Sequence, residues 1–149
     1  LRFEIGKAEI LKDGSDVTIV ACGPLVYEAL RAGEALLSPN SKFEIRNSKF
    51  SPLSAEIINI STIKLLDVKT LVKSAKKTGR VVTVEEHQIA GGLGGAVAEV
   101  LSEFCPVPIR RVGMNDCFGE SGDAGELLDK YHMAIDDIIS AVLDVTKKG

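Results

Sequence analysis

The stretch RVVTVEEHQIAGGLGGAVAEVLSEF, residues 80–104, decides the fold. Its first part, 80–86, is β-branched and apolar up to two glutamates, which predicts a buried strand. Its last part, 94–104, has apolar residues at helical spacing and is followed by Pro106, which predicts a helix. Four glycines lie at the junction. A strand that passes through a glycine turn into a helix is the repeating unit of α/β proteins.

The same unit recurs on both sides of this stretch. The predicted strands are 16–23, 54–62, 80–86 and 107–113, and the predicted helices between them are 24–37, 66–79 and 94–104. Pro24 suits a helix start, while Asp67 and Gly79 are the expected N-cap and C-terminal stop of the second helix. Alternation of this kind predicts parallel strands joined by right-handed crossovers. We therefore expect an α/β fold in one domain, 1–149: three layers, with a doubly wound, mostly parallel sheet of about five strands and helices on both faces.

The two ends of the chain add further elements. Residues around Lys7 to Leu11 predict an edge strand that turns at Asp13-Gly14 like a hairpin. Near the other end, 121–133 predicts a short helix with Asp123 and Glu126 in a capping arrangement. A longer helix, 134–148, is predicted to pack on the sheet through the stripe Ile135, Ile138, Ile139, Val142 and Val145.

The segment 38–52 interrupts the alternation. It carries the word NSKF twice, at 40–43 and 47–50, and Ser-Pro brackets it on both sides. A connection between a helix and a strand usually takes about 2–6 residues. We therefore expect a surface insertion here, in the form of a small hairpin, and an interaction role is the less favoured alternative.

Composition and charge exclude several classes of protein. The net charge is −3 and the pI is about 5.4, so no basic footprint for nucleic acid is present. The lysines at 73, 76 and 77 are expected to form a solvated helix face. No apolar run is long enough to span a membrane. Three dispersed cysteines and two histidines predict a reduced, cytoplasmic protein without a disulfide framework or a metal site.

The glycine turn raises the question of a nucleotide site. Gly92 and Gly94 match the first two glycines of the dinucleotide fingerprint, but Val97 stands at the third position. The acidic residue expected after the next strand and a Walker-type Gly-Lys-Ser/Thr are both missing. The favoured prediction is structural: Gly91 and Gly92 turn with positive φ, and Gly94 and Gly95 allow close packing against the sheet or another chain. An anion at the helix N-terminus is the weaker alternative.

Glu85, Glu86 and His87 end the predicted strand at the functional edge of the sheet. A carboxylate pair beside an imidazole is suited to acid–base chemistry. However, neighbouring residues on a strand point to opposite faces, so both carboxylates cannot address one substrate. We expect one of the three to cap the glycine turn or to meet a partner chain. Cys117 has no identifiable histidine partner, so no catalytic residue is assigned.

Four motifs in order carry a family resemblance: FEIGKAEILKDGSDVTIVACGPLVYEAL (3–30), INISTIKLLD (58–67), VVTVEEHQIAGGLGGAVAEVL (81–101) and RVGMNDCFGESGDAGELLDKYHM (111–133). Together they resemble the C-terminal domain of transketolase, and most closely that of split transketolases. Leu65 departs from the family's usual proline, and 38–52 is foreign to the pattern.

The resemblance implies a parent enzyme that uses thiamine diphosphate and Mg²⁺ to transfer a two-carbon ketol unit between sugar phosphates. It also implies that this chain binds neither group, because the family holds them between two other domains. The implied role is structural, as part of a homodimer with the other transketolase domains or an N-terminal subunit. Alternatives are the equivalent domain of deoxyxylulose-phosphate synthase or of a 2-oxoacid dehydrogenase beta subunit, or a stand-alone anion-binding or interaction module.

Overall fold

A computed structural model describes residues 3–38 and 51–147. In these ranges the chain forms strands β1 (Glu9–Lys12), β2 (Val17–Ala21), β3 (Ala55–Asn59), β4 (Val81–Gln88) and β5 (Ile109–Met114). The helices are α1 (Leu25–Leu37), α2 (Val68–Thr78), α3 (Leu93–Phe104), α4 (Ala124–Lys130) and α5 (Ile135–Thr146). No helix among the described residues is long and apolar enough to cross a lipid bilayer. Most of the predicted insertion, 39–50, lies outside the described residues.

The strands form one sheet in the order β1-β3-β2-β4-β5. β2, β3, β4 and β5 are parallel, and β1 is antiparallel to β3. The predicted edge strand is confirmed, but the hairpin with β2 is wrong. Both sides of β2 are already paired, with β3 and with β4, so β1 reaches a free strand edge only beside β3. Gly14 makes this path possible, because a side chain there would overlap the Ala55 backbone.

Two apolar layers cover the two faces of the sheet, as the alternation predicts. α1 and α5 pack on one face, and α2 and α3 pack on the other. The predicted stripe of α5 is confirmed, because Ile135, Ile138, Ile139, Val142 and Val145 are all buried. These side chains place α5 against β5, which is an edge strand of the sheet, and against its inner neighbour β4.

The helix ends follow the predicted signals. The Asp67 carboxylate accepts hydrogen bonds from Thr70 N at 3.1 Å and from Thr70 Oγ1 at 2.9 Å at the start of α2. Gly79 ends that helix with φ +72°. The Asp123 carboxylate accepts a hydrogen bond from Gly125 N at 2.9 Å and so caps the N-terminus of α4. This helix is shorter than predicted. Asp67 also accepts from Ala8 N at 3.1 Å, and this bond ties the segment before β1 to α2.

One predicted solvated lysine has a buried partner. Lys77 forms an ion pair with Glu56, whose side chain is buried in β3, and a second one with Asp13 at 2.6 Å. The pKa of Asp13 is lowered by its hydrogen bond to Lys77, and the pKa of Lys77 is raised by its bonds to Asp13 and Glu56. This cluster lies where β3 begins, at the opposite end of the sheet from the glycine turn.

Candidate functional site

The site lies at the carboxyl edge of the sheet, which we define as the edge where the parallel strands β2–β5 end. From β2 the chain crosses to β3 on one side, while β4 and β5 lie on the other side. The order of the strands therefore reverses between β2 and β4. In open α/β sheets this switch point is where the crevice between adjacent loops is widest, and ligands bind there. Glu85, Glu86 and His87 lie near the end of β4, Gly91 and Gly92 lie in the loop that follows, and Gly94 and Gly95 lie in the first turn of α3.

The Glu85 carboxylate accepts hydrogen bonds from the first N–H groups of α3. It comes from β4, is only 1% exposed, and accepts from Leu93 N at 2.6 Å and from Gly94 N at 2.8 Å. These N–H groups belong to the first turn of the helix and have no partner within it. A negative charge at this end is also favoured by the helix dipole. The position that an external anion would take is therefore filled by a side chain of the protein.

The four glycines of the turn differ in their backbone conformation and in the space around them. Gly91 has φ +80°, which confirms the predicted turn at that residue. Gly92 does not have positive φ: its φ is −101°, and a side chain there would lie 2.0 Å from Glu85 Oε2. A side chain at Gly94 would lie 2.8 Å from Thr83 Oγ1, so the predicted close packing of α3 on the sheet is confirmed there. Gly95 has open space around it in this chain, so contact with another chain stays a prediction.

Glu86 and His87 are exposed beside the buried Glu85. The two glutamates therefore point to opposite faces of β4, as expected for neighbouring strand residues. His87 Nδ1 lies 2.8 Å from the Gln88 carbonyl oxygen, which can only accept, so Nδ1 carries the proton. The same nitrogen is 4.0 Å from Glu85 Oε2, beyond hydrogen-bond distance. The three residues are close in space, but only Glu85 is bound into the turn.

A residue that the sequence analysis did not single out, Gln88, ties two loops together. Its Nε2 donates to the Cys117 carbonyl at 2.7 Å, and its Oε1 accepts from Asp116 N at 2.9 Å. Tyr131 donates to the Phe118 carbonyl at 3.1 Å. These bonds hold the loop after β5 against the end of β4. A glutamine at a strand end carries no specific signal for such a role.

A shallow pocket of about 240 Å³ opens at the switch point. It is lined by Cys22, Gly23, Pro24, Ile63, Glu85, Glu86, His87, Gly91 and Gly92. Burial, and to a smaller extent the charge of Glu85, raise the pKa of the Cys22 thiol. This thiol is therefore a poor nucleophile at neutral pH. Cys117 lies beyond the pocket on the loop held by Gln88.

The described residues contain no group of three or more His, Cys, Asp or Glu side chains that could hold a metal ion. With Glu85 bound to α3, the pocket retains Glu86 and His87 as its exposed titratable side chains. Both can contact a partner or a small ligand. The site is thus a capped turn with an exposed polar rim.

Comparison with known proteins gives the family. The sequence matches the family described as transketolase, C-terminal domain, over residues 6–138. The chain belongs to the transketolase C-terminal domain family. A putative transketolase C-terminal section of Methanocaldococcus jannaschii is 46% identical over 147 residues. A 6-deoxy-6-sulfo-D-fructose transketolase subunit of Clostridium sp. strain MSTE9 is 43% identical over 146 residues. Each match covers 98% of this chain and 42% of the relative.

This transketolase C-terminal domain also matches solved structures. A split gene transketolase described as an inactive β4 tetramer has a TM-score of 0.87 and 42% identity, over 99% of this chain and 44% of that one. The predicted α/β fold is therefore confirmed. A 1-deoxy-D-xylulose-5-phosphate synthase of Heliobacterium modesticaldum is 36% identical over 135 residues, which cover 90% of this chain and 19% of the relative. The chain thus spans less than half of the length of each of these relatives.

Proposed function

We propose that the chain is the C-terminal domain of a transketolase and that its own role is to support the assembly of the enzyme. The parent enzyme would transfer a two-carbon ketol unit between sugar phosphates. The observation that carries the structural role is the bond between Glu85 and the start of α3. The feature of the sequence that most resembles a cofactor loop is used within the domain. Family membership supports the identity of the parent.

The residues present do not fit thiamine diphosphate and its metal. A diphosphate at the α3 N-terminus would meet the Glu85 carboxylate, which already accepts from Leu93 N and Gly94 N. Mg²⁺ is usually held by carboxylates together with the phosphate, and the described residues contain no cluster of three or more such ligands. We therefore assign the cofactor to other parts of the parent enzyme and derive no chemical step on this domain.

The relatives support a split or two-part parent. Two of them are described as a transketolase subunit and as a C-terminal section, and this chain covers 42% of each. We propose that the parent associates with an N-terminal subunit, forms a homodimer through its C-terminal half, and acts in the cytoplasm. We assign the sugar to the parent's other domains, because the exposed titratable side chains of the polar rim, Glu86 and His87, include no lysine or arginine that would pair with a phosphate.

Two alternatives are less well supported. A domain of deoxyxylulose-phosphate synthase has a relative at 36% identity, against 43% and 46% for the transketolase subunit and section. A stand-alone anion-binding module would need free N–H groups at the glycine turn, and Glu85 occupies two of them. The 2-oxoacid dehydrogenase domain stays a hypothesis that the upstream sequence of the parent gene would test.

Calorimetric titration tests this proposal. Thiamine diphosphate with Mg²⁺ is titrated into residues 1–149 and, separately, into the parent protein combined with its N-terminal partner. We expect heat of binding and ketol transfer only from the second sample. Micromolar binding to residues 1–149 would overturn the proposed division of labour. Absence of ketol transfer from the complete assembly would overturn the proposed parent activity.

A further inference from the structure

Large exposed apolar side chains are concentrated at the carboxyl edge. Among the described residues, six of the nine exposed large hydrophobics lie in the loops or first helical turn at this edge. We call them the apolar rim: Phe3, Ile5, Tyr27, Ile63, Leu65 and Phe118. The other three, Ile10, Leu37 and Phe104, lie on the edge strand or at the opposite ends of helices. Concentration of apolar surface at one side of a domain is typical of an interaction site.

The rim begins with the segment that leads into β1. Glu9 pairs with Asn59, the last residue of β3, so residues 3–8 lie beyond the carboxyl end of that strand. Gly6 N donates to Thr62 Oγ1 at 3.1 Å, and a side chain at Gly6 would lie 3.3 Å from the Leu65 carbonyl oxygen. Phe3 and Ile5, 71% and 69% exposed, are therefore held near Leu65 on the same side of the sheet.

The rim ends with a fully exposed phenylalanine on an ordered loop. Phe118 is 99% exposed and adds nothing to the core of this domain. The backbone of its loop is nevertheless fixed, because Gln88 bonds to residues 116 and 117 and Tyr131 bonds to the carbonyl of Phe118. A large aromatic side chain on a preorganised backbone is what interface anchors have in common. Ile63, in the pocket between β2 and β4, lies between the two halves of the rim.

The rim spans the whole sheet. From β1 to β5 there are four strand spacings, or about 19 Å. The occupant is indicated by the position of residues 3–8, which bring the chain onto this same edge. This chain matches the transketolase C-terminal domain over residues 6–138, and it covers only 42% of the Clostridium subunit and 44% of the split gene transketolase.

We infer that the apolar rim is the docking face for the folded segment that precedes this domain in its own parent chain. Phe118 anchors the interface on the side of β5. Phe3, Ile5 and Leu65 form the other side of the interface, next to the connection between the preceding segment and this domain. This inference rests on the proposed function, because it requires a parent chain with a preceding domain. The same edge carries Glu86 and His87, which then form the polar border of the interface.

Photo-crosslinking in the full parent chain tests the inference. Phe118→p-benzoylphenylalanine is compared with Phe104→p-benzoylphenylalanine, because Phe104 is also an exposed phenylalanine but lies at the opposite end of α3. We expect irradiation to link position 118, and not position 104, to a peptide that precedes residue 1 in the same chain. A link to residues 1–149 of a second copy, a link to the N-terminal subunit, or no link from position 118 would overturn the inference.

Stability of the parent chain provides a second measurement. Phe118→Ser and Leu65→Ser should each lower its melting temperature by a few degrees, and Lys73→Ser, at an exposed position in the middle of α2, should not. An equal response of all three variants would contradict the assignment. Ketol transfer by the wild-type assembly is measured in parallel, because its loss would refute the proposed parent activity while the crosslink would still report docking. A parent gene without a preceding domain would refute both the domain assignment and the docking.

Discussion

Removal of the Glu85 carboxylate should destabilise the domain because two buried N–H groups lose their acceptor. In Glu85→Ala, Leu93 N and Gly94 N would lose bonds of 2.6 Å and 2.8 Å. An unsatisfied buried donor costs about 1–3 kcal/mol, and loss of a helix N-cap costs about 0.5–2 kcal/mol. The buried carboxylate itself carries a desolvation cost that the mutation removes. We therefore expect a loss of about 2–4 kcal/mol in the free energy of unfolding.

The measurement is urea unfolding of the wild type, Glu85→Ala, Glu85→Gln and Glu86→Ala. Glu86 is the matched control, since it is the next residue on β4 and is exposed. Its removal should change the free energy of unfolding by no more than about 0.5 kcal/mol. Glu85→Gln keeps the shape but places an amide NH₂ beside backbone donors, so an intermediate loss is expected. Equal urea midpoints for Glu85→Ala and Glu86→Ala would refute the reasoning.

A double-mutant cycle makes the same test sharper. A side chain at Gly92 would lie 2.0 Å from Glu85 Oε2, so Gly92→Ala should displace the carboxylate from α3. The backbone of Gly92 has negative φ, so overlap is the main cause of the cost. Gly92→Ala should therefore be costly in the wild type and much less costly in Glu85→Ala, with a coupling energy of about 1–3 kcal/mol. Additive effects would show that the glycine serves some other purpose.

Three further predictions concern other charged and titratable groups. Lys77→Ala leaves buried Glu56 without its ion-pair partner and should lower the free energy of unfolding in urea by about 2–3 kcal/mol. This loss is smaller than that for a fully buried ion pair because Lys77 is partly exposed. The control Lys73→Ala should change the free energy of unfolding very little. Burial acts to raise the pKa of Asp67, but its hydrogen bonds and the nearby Lys7 outweigh burial, so the pKa lies below its usual value. The stability that Asp67 adds is therefore present above about pH 4 and lost as the pH falls through the lowered pKa, and Asp67→Asn should flatten the decline in the urea midpoint between about pH 5 and pH 3. Burial and the Glu85 charge raise the pKa of Cys22, so its alkylation by iodoacetamide, followed by mass spectrometry, should accelerate only above about pH 9. In Glu85→Gln the same acceleration should begin at a lower pH.

The elements that the sequence predicts well are those whose partners are local. The α5 stripe follows from helical periodicity, since its members lie on one side of the helix whatever the sheet does. Asp67 and Gly79 act within one turn of their own helix. β1 shows the opposite case: its four residues indicate a strand, but its neighbour depends on which strands are already paired. That information lies in the crossover connections, so a hairpin with β2 was the expected local solution and was wrong.

The site was harder to predict because its contacts depend on tertiary geometry. The sequence predicts that one of Glu85, Glu86 and His87 caps the glycine turn or meets a partner chain, but it does not indicate which of the three does so. The bond to α3 requires the turn at Gly91 and the missing side chain at Gly92 together. Gln88 was not singled out because its two partners lie 28 and 29 residues away in sequence. Glu56 shows the same limit, since Lys77 reaches it across 21 residues.

The glycine turn shows why a helix N-terminus must be examined donor by donor before it is interpreted as a phosphate site. Glycines in a phosphate loop remove side chains so that an external anion can approach backbone N–H groups. Here Gly92 removes a side chain so that the protein's own carboxylate can approach Leu93 N and Gly94 N. A phosphate within about 4 Å of that carboxylate would be repelled by roughly 4 kcal/mol per unit of charge at an effective dielectric constant of 20. The same glycine pattern therefore favours an anion in one protein and opposes it in another, and the decisive residue is the acid at the end of the preceding strand.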